Sequence, residues 1–456
     1  MSFPLLSPTF FNVICTLLLF ATPRLRAETV LVAPVSKDES TNLFTLSVFL
    51  KTPLRPTKLY LDLGFLFPWA LCDANYNSSS FSRIPCDSDT FCADVGFGGL
   101  VCDNCTDLDP PDPKCIPANL VCGSFPENPV TRAGIADGAM VDTLALPTSQ
   151  GPAPLALLPN FTFSCSDSTL LKGLPKMVNG LAALGRSKLS FQSQISAAFS
   201  SPLTFALCFP STPKASGIAF FGSTGPYNTI SKVDLSKSLT YTPILINPVG
   251  LGDTEINYRI GTPSNHYFID LTGIQINGKR VPINESLLTI NNTDGFGGTK
   301  ISTATPYTLL NSFIYKPFTD LFVKEAASSA FNLTVTAPAK PFNVCYSAAD
   351  LTVKPLGPLV PTVDLVLHAD NVVWRIVGGN SMVRIKNNKR GVDLWCLAFV
   401  DAGVKMKTPV VIGGKQLEDN LLQFDLKNNR LGFTASLLSR SLSCSQFNVT
   451  DFARGN

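Results

Sequence analysis

The chain contains one arrangement twice. Lys58-Leu-Tyr-Leu-Asp62-Leu-Gly64-Phe is an apolar strand ending in Asp-x-Gly, and about 120 residues on comes Gly180-Leu-Ala-Ala-Leu-Gly185. In the second half, Gly298-Thr-Lys-Ile-Ser302-Thr-Ala-Thr305 is followed about 110 residues on by Pro409-Val-Val-Ile-Gly413-Gly414. A strand-turn followed at similar distance by an apolar-apolar-Gly segment, occurring twice, implies two related β lobes facing one cleft. The 456-residue length suits such a body, being about three times an ordinary domain.

Local patterns agree with a strand-dominated chain. Period-2 or β-rich runs predict strands at Leu43–Leu50, Leu59–Leu63, Phe161–Cys165, Leu203–Phe209, Gly217–Phe221, Ile274–Ile276, Val363–Leu367 and Val372–Val377. Helical spacing predicts helices only at Ser312–Ala330, with Pro317 tolerated near its first turn, and at Ser190–Phe199. The 35 Pro, 31 Gly and 32 Phe fit many short strands and turns.

The N-terminus and the cysteines set the compartment. Phe10–Ala21 is too short an apolar run to span a bilayer, and Leu25-Arg-Ala27 ends in a small residue, so residues 1–27 read as a secretory signal. No later run of 18 or more apolar residues predicts a membrane anchor. Cleavage removes Cys15 and leaves twelve of thirteen cysteines, an even number that predicts a disulfide framework. Seven cluster in a disulfide-rich insert, 72–122: Cys72, Cys86, Cys92, Cys102, Cys105, Cys115 and Cys122. The Cys102-x-x-Cys105 pair imitates a zinc site, but in an oxidising compartment it reads as disulfide, so no metal is expected. Sequons at Asn77, Asn104, Asn160, Asn284, Asn291, Asn332 and Asn448 predict a glycoprotein.

Several activities are excluded by what the chain lacks. A net charge of +3 gives no electrostatic footprint for nucleic acid. The only two histidines, His266 and His368, lie far apart in sequence, leaving little room for a histidine metal site or a Ser-His or Cys-His pair. There is no G-x-S-x-G elbow and no HExxH, and Gly295-Phe-Gly-Gly298 lacks the Lys-[ST] of a phosphate loop. No cofactor is implied.

On these residues the chain resembles the pepsin-like aspartic protease fold. It is most similar to an inactive plant branch containing extracellular dermal glycoprotein, xyloglucanase and cereal-type xylanase inhibitors, and basic 7S or gamma-conglutin globulins. The stretches that carry this likeness include Leu31-Val-Ala-Pro-Val-Ser-Lys-Asp, Phe125-Pro-Glu-Asn-Pro-Val130, Lys300-Ile-Ser-Thr-Ala-Thr-Pro-Tyr307 and Gly413-Gly-Lys-Gln-Leu-Glu-Asp-Asn420. The resemblance implies an all-β, bilobal double β-barrel with a few short helices: an N-terminal lobe over 28–235 and a C-terminal lobe over 236–456. It also implies disulfides Cys72–Cys165, Cys208–Cys444 and Cys345–Cys396. The remaining six cysteines allow 15 pairings, which stay open.

An aspartic protease needs two adjacent carboxyl groups sharing a proton, which together activate a water. Here the first lobe keeps Asp62 and Gly64, but Leu63 and Phe65 replace hydroxyl residues. The second lobe has Ser302 where the other aspartate belongs, then Thr303 and Ala304 in place of glycine. Serine has no proton to share near pH 5, so Asp62 and Ser302 read as degenerate positions and the chain as a non-enzyme. Asp137 and Asp294 read as loop carboxylates.

The resemblance implies a secreted, apoplastic inhibitor of microbial cell-wall glycoside hydrolases, of the xyloglucan-specific endo-β-1,4-glucanase type. It would act as a monomer without membrane or nucleic-acid partners. The inhibitory-loop candidates are Lys405 and Lys407, in Val400-Asp-Ala-Gly-Val-Lys-Met-Lys-Thr408, and Lys340. Alternatives are a seed-type basic globulin that stores or binds ligand, and a surviving acid endopeptidase.

Overall fold

The computed structural model describes residues 30–72, 76–84, 122–149, 151–250, 262–387, 389 and 391–447. The proposed signal at 1–27, Asn104, Asn448, and Cys86, Cys92, Cys102, Cys105 and Cys115 lie outside the described residues.

Strands dominate, and both copies of the repeat build the same local unit. In the first half Leu31–Lys37, Phe44–Leu50 and Arg55–Asp62 run as an antiparallel meander, with Val35 opposite Leu46 and Thr45 opposite Tyr60. Arg55–Asp62 then pairs in parallel with Gly180–Ala183, Asp62 opposite Ala183. In the second half Thr299–Ile301 pairs in parallel with Val410–Ile412, Ile301 opposite Ile412. Each apolar-apolar-Gly segment is therefore the strand that flanks its Asp-x-Gly or Ser-x-Ala turn. It is apolar throughout because both faces are covered.

The expected pair of β-barrels does not form. Nineteen strands join in one main sheet that is not closed into a barrel. The reason lies in the edges. A barrel closes when a lobe's last strand pairs with its first. Here Thr204–Cys208, from the first half, pairs with Leu421–Asp425 near the end of the chain. Thr240–Leu245 likewise pairs with Arg430–Phe433. Hydrogen bonding thus runs on from one half into the other, although within the first half Leu31–Lys37 also pairs back with Ser216–Phe221. Smaller sheets of four, three and two strands stand apart in the second half.

Two of the helices bear directly on the site. Ser312–Ala326 starts at Asn311, whose side-chain oxygen accepts from the Phe313 N–H at 3.0 Å. It stops at Ala326, short of the expected Ala330, because the chain turns at Ser328 with Phe331 N–H bonded to its carbonyl. Pro317 sits inside the helix, and the Phe313 carbonyl it leaves unbonded belongs to a residue 65% exposed, where water can serve. Phe191–Phe199 follows Ser190 and ends at Ser200 in left-handed backbone, φ 48°.

The core crosses between the halves. The rings of Phe205 and Phe424 stack at 4.6 Å and 6°, and Tyr267 joins them at 4.6 Å from Phe424. The buried Tyr267 hydroxyl donates to the Leu184 carbonyl at 2.6 Å. This fixes Tyr267–Ile269, the strand that starts just after His266, against the loop that follows Gly180–Ala183. Disulfides join Cys72 to Cys165, Cys208 to Cys444 and Cys345 to Cys396. The second of these ties the first half to the C-terminal segment.

Candidate functional site

The two repeat turns meet face to face. The Thr303 hydroxyl accepts from the Leu63 N–H at 3.1 Å, so the backbones after Asp62 and Ser302 touch directly. By the symmetry of the repeat a hydroxyl at position 63 would return the bond to the N–H of Thr303, but Leu63 has none. Half of a reciprocal clasp survives. The Asp62 carbonyl accepts from the Leu184 N–H at 2.7 Å, while the Ser302 N–H donates to the Ile412 carbonyl at 2.9 Å. Each turn is thereby fixed by its own flanking segment.

Asp62 is 3% exposed. One carboxyl oxygen accepts from the N–H groups of Gly64, at 2.8 Å, and Phe65, at 2.5 Å. Burial pushes the carboxyl above the usual carboxylate range. His266, those two N–H groups and then Lys300 pull it back only in part. Burial, and after it the Asp62 charge, holds the neighbouring Tyr60 phenol up as well. Ser302, 6% exposed, accepts from the Ala304 N–H at 3.1 Å. Ala304 does not adopt left-handed backbone, so losing glycine there costs no strain.

His266 and Lys300 are the site residues that reading the sequence missed. The His266 ring abuts Gly64: a Cβ built there would stand 2.1 Å from the imidazole, so only glycine fits beside it. Its place follows from register. Tyr267 lies opposite Ile301 in an antiparallel pair, which sets His266 level with Ser302. Lys300 was legible in part, because an extended chain puts residues 300 and 302 on one face. Nothing local to His266 points at Asp62.

The chemistry that this arrangement supports is limited. Two carboxyl groups sharing a proton cannot be assembled from one carboxyl and a serine, and here the single carboxyl faces a histidine and a lysine instead. Among the described residues no group of three or more His, Cys, Asp or Glu is placed to hold a metal ion. Neither Asp137 nor Asp294 is at the turn: Asp137 accepts from its own neighbour Gly138, and Asp294 caps Phe296 in the 291–296 loop.

The lysine candidates occupy other ground. Lys405 and Lys407 are exposed on one loop that several backbone contacts hold in place. Asn311 donates to the Val404 carbonyl at 3.2 Å, the Ser312 N–H to the Gly403 carbonyl at 3.2 Å, and the Gly297 N–H to the Lys407 carbonyl at 2.9 Å. Asp401 adds bonds from Ser312 and Gly403. Neither ammonium makes an ion pair with a described residue. Lys340 is exposed on a separate turn, whose Ala339 and Phe342 pack with Val400, just before the loop. Exposed sequon residues are Asn77, Asn160, Asn284, Asn291 and Asn332.

A pepsin-like frame with one acid of the pair missing defines the class: an aspartic-protease-related protein that has lost catalysis. Comparison with known proteins places it more narrowly. Family models described as xylanase inhibitor N-terminal and xylanase inhibitor C-terminal match residues 44–223 and 266–435. The probable aspartic proteinase GIP1 of Glycine max is 50% identical, with 99% of each chain covered. The crystal structure of edgp is 40% identical, covers 92% of this chain and 98% of its own, and superposes with a TM-score of 0.83. That of conglutin gamma from lupine seeds is 30% identical over 92% and 98%, with a TM-score of 0.74. The chain belongs to this plant xylanase-inhibitor-like family of pepsin-like proteins, and is a secreted, non-catalytic member of it.

Proposed function

We propose that the protein inhibits secreted microbial cell-wall glycoside hydrolases, of the xyloglucan-specific endoglucanase type, in the plant apoplast. The loop of Lys405 and Lys407 would be its contact. The observation that carries this reading is that loop itself: two exposed ammonium groups two residues apart, without an ion pair among the described residues, on a backbone pinned by Asn311, Ser312 and Gly297. A pinned loop loses little entropy on binding. Retaining glycoside hydrolases hold two carboxylates about 5–5.5 Å apart in the substrate cleft, and an ammonium inserted there is charge-complementary. Lysine offers a point charge and no bidentate fork, so tight inhibition needs further contacts. Lys340, on the adjoining turn, is the next cation available.

The test is inhibition of purified endoglucanases of several families by the secreted protein. Wild type should inhibit one family at near-stoichiometric ratio, and Lys405→Ala/Lys407→Ala should weaken inhibition by about 30-fold or more, as loss of an interfacial charge pair does. A lack of inhibition at large excess would remove this reading.

A second reading, a storage or ligand-binding globulin, is favoured by the likeness to conglutin gamma from lupine seeds and to gamma conglutin 1 of Prunus dulcis, 37% identical over 92% of this chain. It predicts accumulation in seed tissue and no inhibition of any endoglucanase tested.

A further inference from the structure

A groove of about 580 Å³ opens beside the lysine loop. Its apolar walls include Phe296, Phe313, Val404 and Met406, and its rim includes Asn291. Three of these apolar side chains are unusually open for their size: Phe313 is 65% exposed, Val404 55% and Phe296 45%. An apolar patch of this kind on a secreted protein calls for a cover.

Asn291 is the first residue of the sequon Asn291-Asn292-Thr293. Its loop is closed on itself, with Asn291 N–H bonded to the Phe296 carbonyl at 2.7 Å and Gly295 N–H to the Asn291 carbonyl at 2.8 Å. The side-chain oxygen accepts from the Thr293 N–H at 2.8 Å. The side-chain nitrogen makes no hydrogen bond among the described residues, and the residue is exposed. The atom that a sugar would join is therefore open to modification and sits at the groove, in the same loop as Phe296.

We propose that Asn291 carries an N-linked oligosaccharide whose core folds into this groove. In the transfer, the C1–O bond of a lipid-diphosphate-linked oligosaccharide breaks and a C1–Nδ2 bond forms. Nδ2 gives up one proton and the lipid diphosphate leaves, with no change of oxidation state. The apolar faces of the first sugar rings then stack on Phe296 and Phe313, whose flat, open surfaces suit them, and an acetamido methyl reaches Val404 and Met406. The sugar replaces water over these side chains and leaves its hydroxyl groups outward. Since Val404 and Met406 flank Lys405, the same glycan braces the lysine loop from one side. The proposal stands on the sequon and the groove, and holds whichever functional reading is correct.

The test uses the full chain secreted from a host that N-glycosylates. Peptide mapping reads occupancy, and enzymatic deglycosylation of the folded protein reads shielding, with Asn160 as the exposed reference. Asn291 should be occupied, and its glycan should be released on the order of tenfold more slowly than that at Asn160, the ratio that about 1.4 kcal/mol of contact gives. Phe296→Ser/Phe313→Ser should abolish that difference while leaving Asn291 occupied. Removing the sequon by Thr293→Ala should raise binding of an apolar dye. An unmodified Asn291, or release at the same rate as Asn160, would overturn the proposal. Both phenylalanines are partly open to solvent, and circular dichroism of the double variant checks that the fold is intact.

Discussion

Restoring the missing acid, Ser302→Asp, tests how the site lost its chemistry. In the wild type Asp62 is buried and its carboxyl is held above the usual range, chiefly by burial. The sign follows from linkage: a carboxyl raised in the fold supports the folded state fully below its unfolded pKa, and that support is lost as pH rises through the folded value. A second buried carboxyl steepens this. The turns touch through Leu63 and Thr303, so the two acids would face each other at close range; at a separation of about 5 Å, like charges repel by about 3 kcal/mol at an effective dielectric of 20. His266, then the Gly64 and Phe65 N–H groups, then Lys300 offset only part of this. We expect a loss of about 2–4 kcal/mol at pH 7, or about 2–4 °C in Tm for a chain of this size, falling below about 1 kcal/mol at pH 3–4. Thermal melts across pH 3–8 give the comparison.

The same variant should not digest protein at pH 3–5. A working pair must share one proton, whereas His266, against Gly64, and the Lys300 ammonium both favour the ionised carboxylate. Pepstatin-sensitive cleavage by Ser302→Asp alone would refute this account of the site. So would a stability difference that does not change with pH.

Glu418 offers an independent check: it is 1% exposed and bonds Lys37 and Lys415, each at 2.6 Å. Glu418→Gln leaves Lys37 buried and unpaired and should cost about 3–5 kcal/mol at pH 7, while Lys37→Met/Glu418→Leu should recover most of it. Burial already holds the Lys37 pKa below the ordinary lysine value, and the cost should shrink from pH 7 to 9 as that lysine becomes able to shed its proton in the fold. Denaturant titrations at both pH values decide it. Cys208→Ser/Cys444→Ser opens a loop of 236 residues, which in the chain-entropy model costs about 5 kcal/mol. A loss under about 1 kcal/mol in equilibrium unfolding would show that the cross-sheet pairing of Thr204–Cys208 with Leu421–Asp425 holds the C-terminal segment unaided.

Much of this was legible in the residues. The Asp-x-Gly and Ser-x-Ala turns and their flanking segments are local patterns, and local patterns survive in one dimension. So the loss of the second acid, at Ser302, needed no coordinates. The strands, too, were found nearly in place: Val363–Leu367 as predicted, and Gly217–Phe221 one residue short. What the sequence could not carry was pairing between distant edges. Alternation says which face of a strand is buried but not which strand lies beside it. The two closed barrels were an expectation from the resemblance, and nothing in the residues showed that Thr204–Cys208 reaches across to Leu421–Asp425. The same limit hid His266, which lies level with Ser302 only through the register of Tyr267 with Ile301. The sequence by itself settled that the acid pair was broken. Only the tertiary structure decided what faces the surviving carboxyl, because a histidine's effect on Asp62 falls off with distance in space, and distance in space is set by pairing across more than 200 residues.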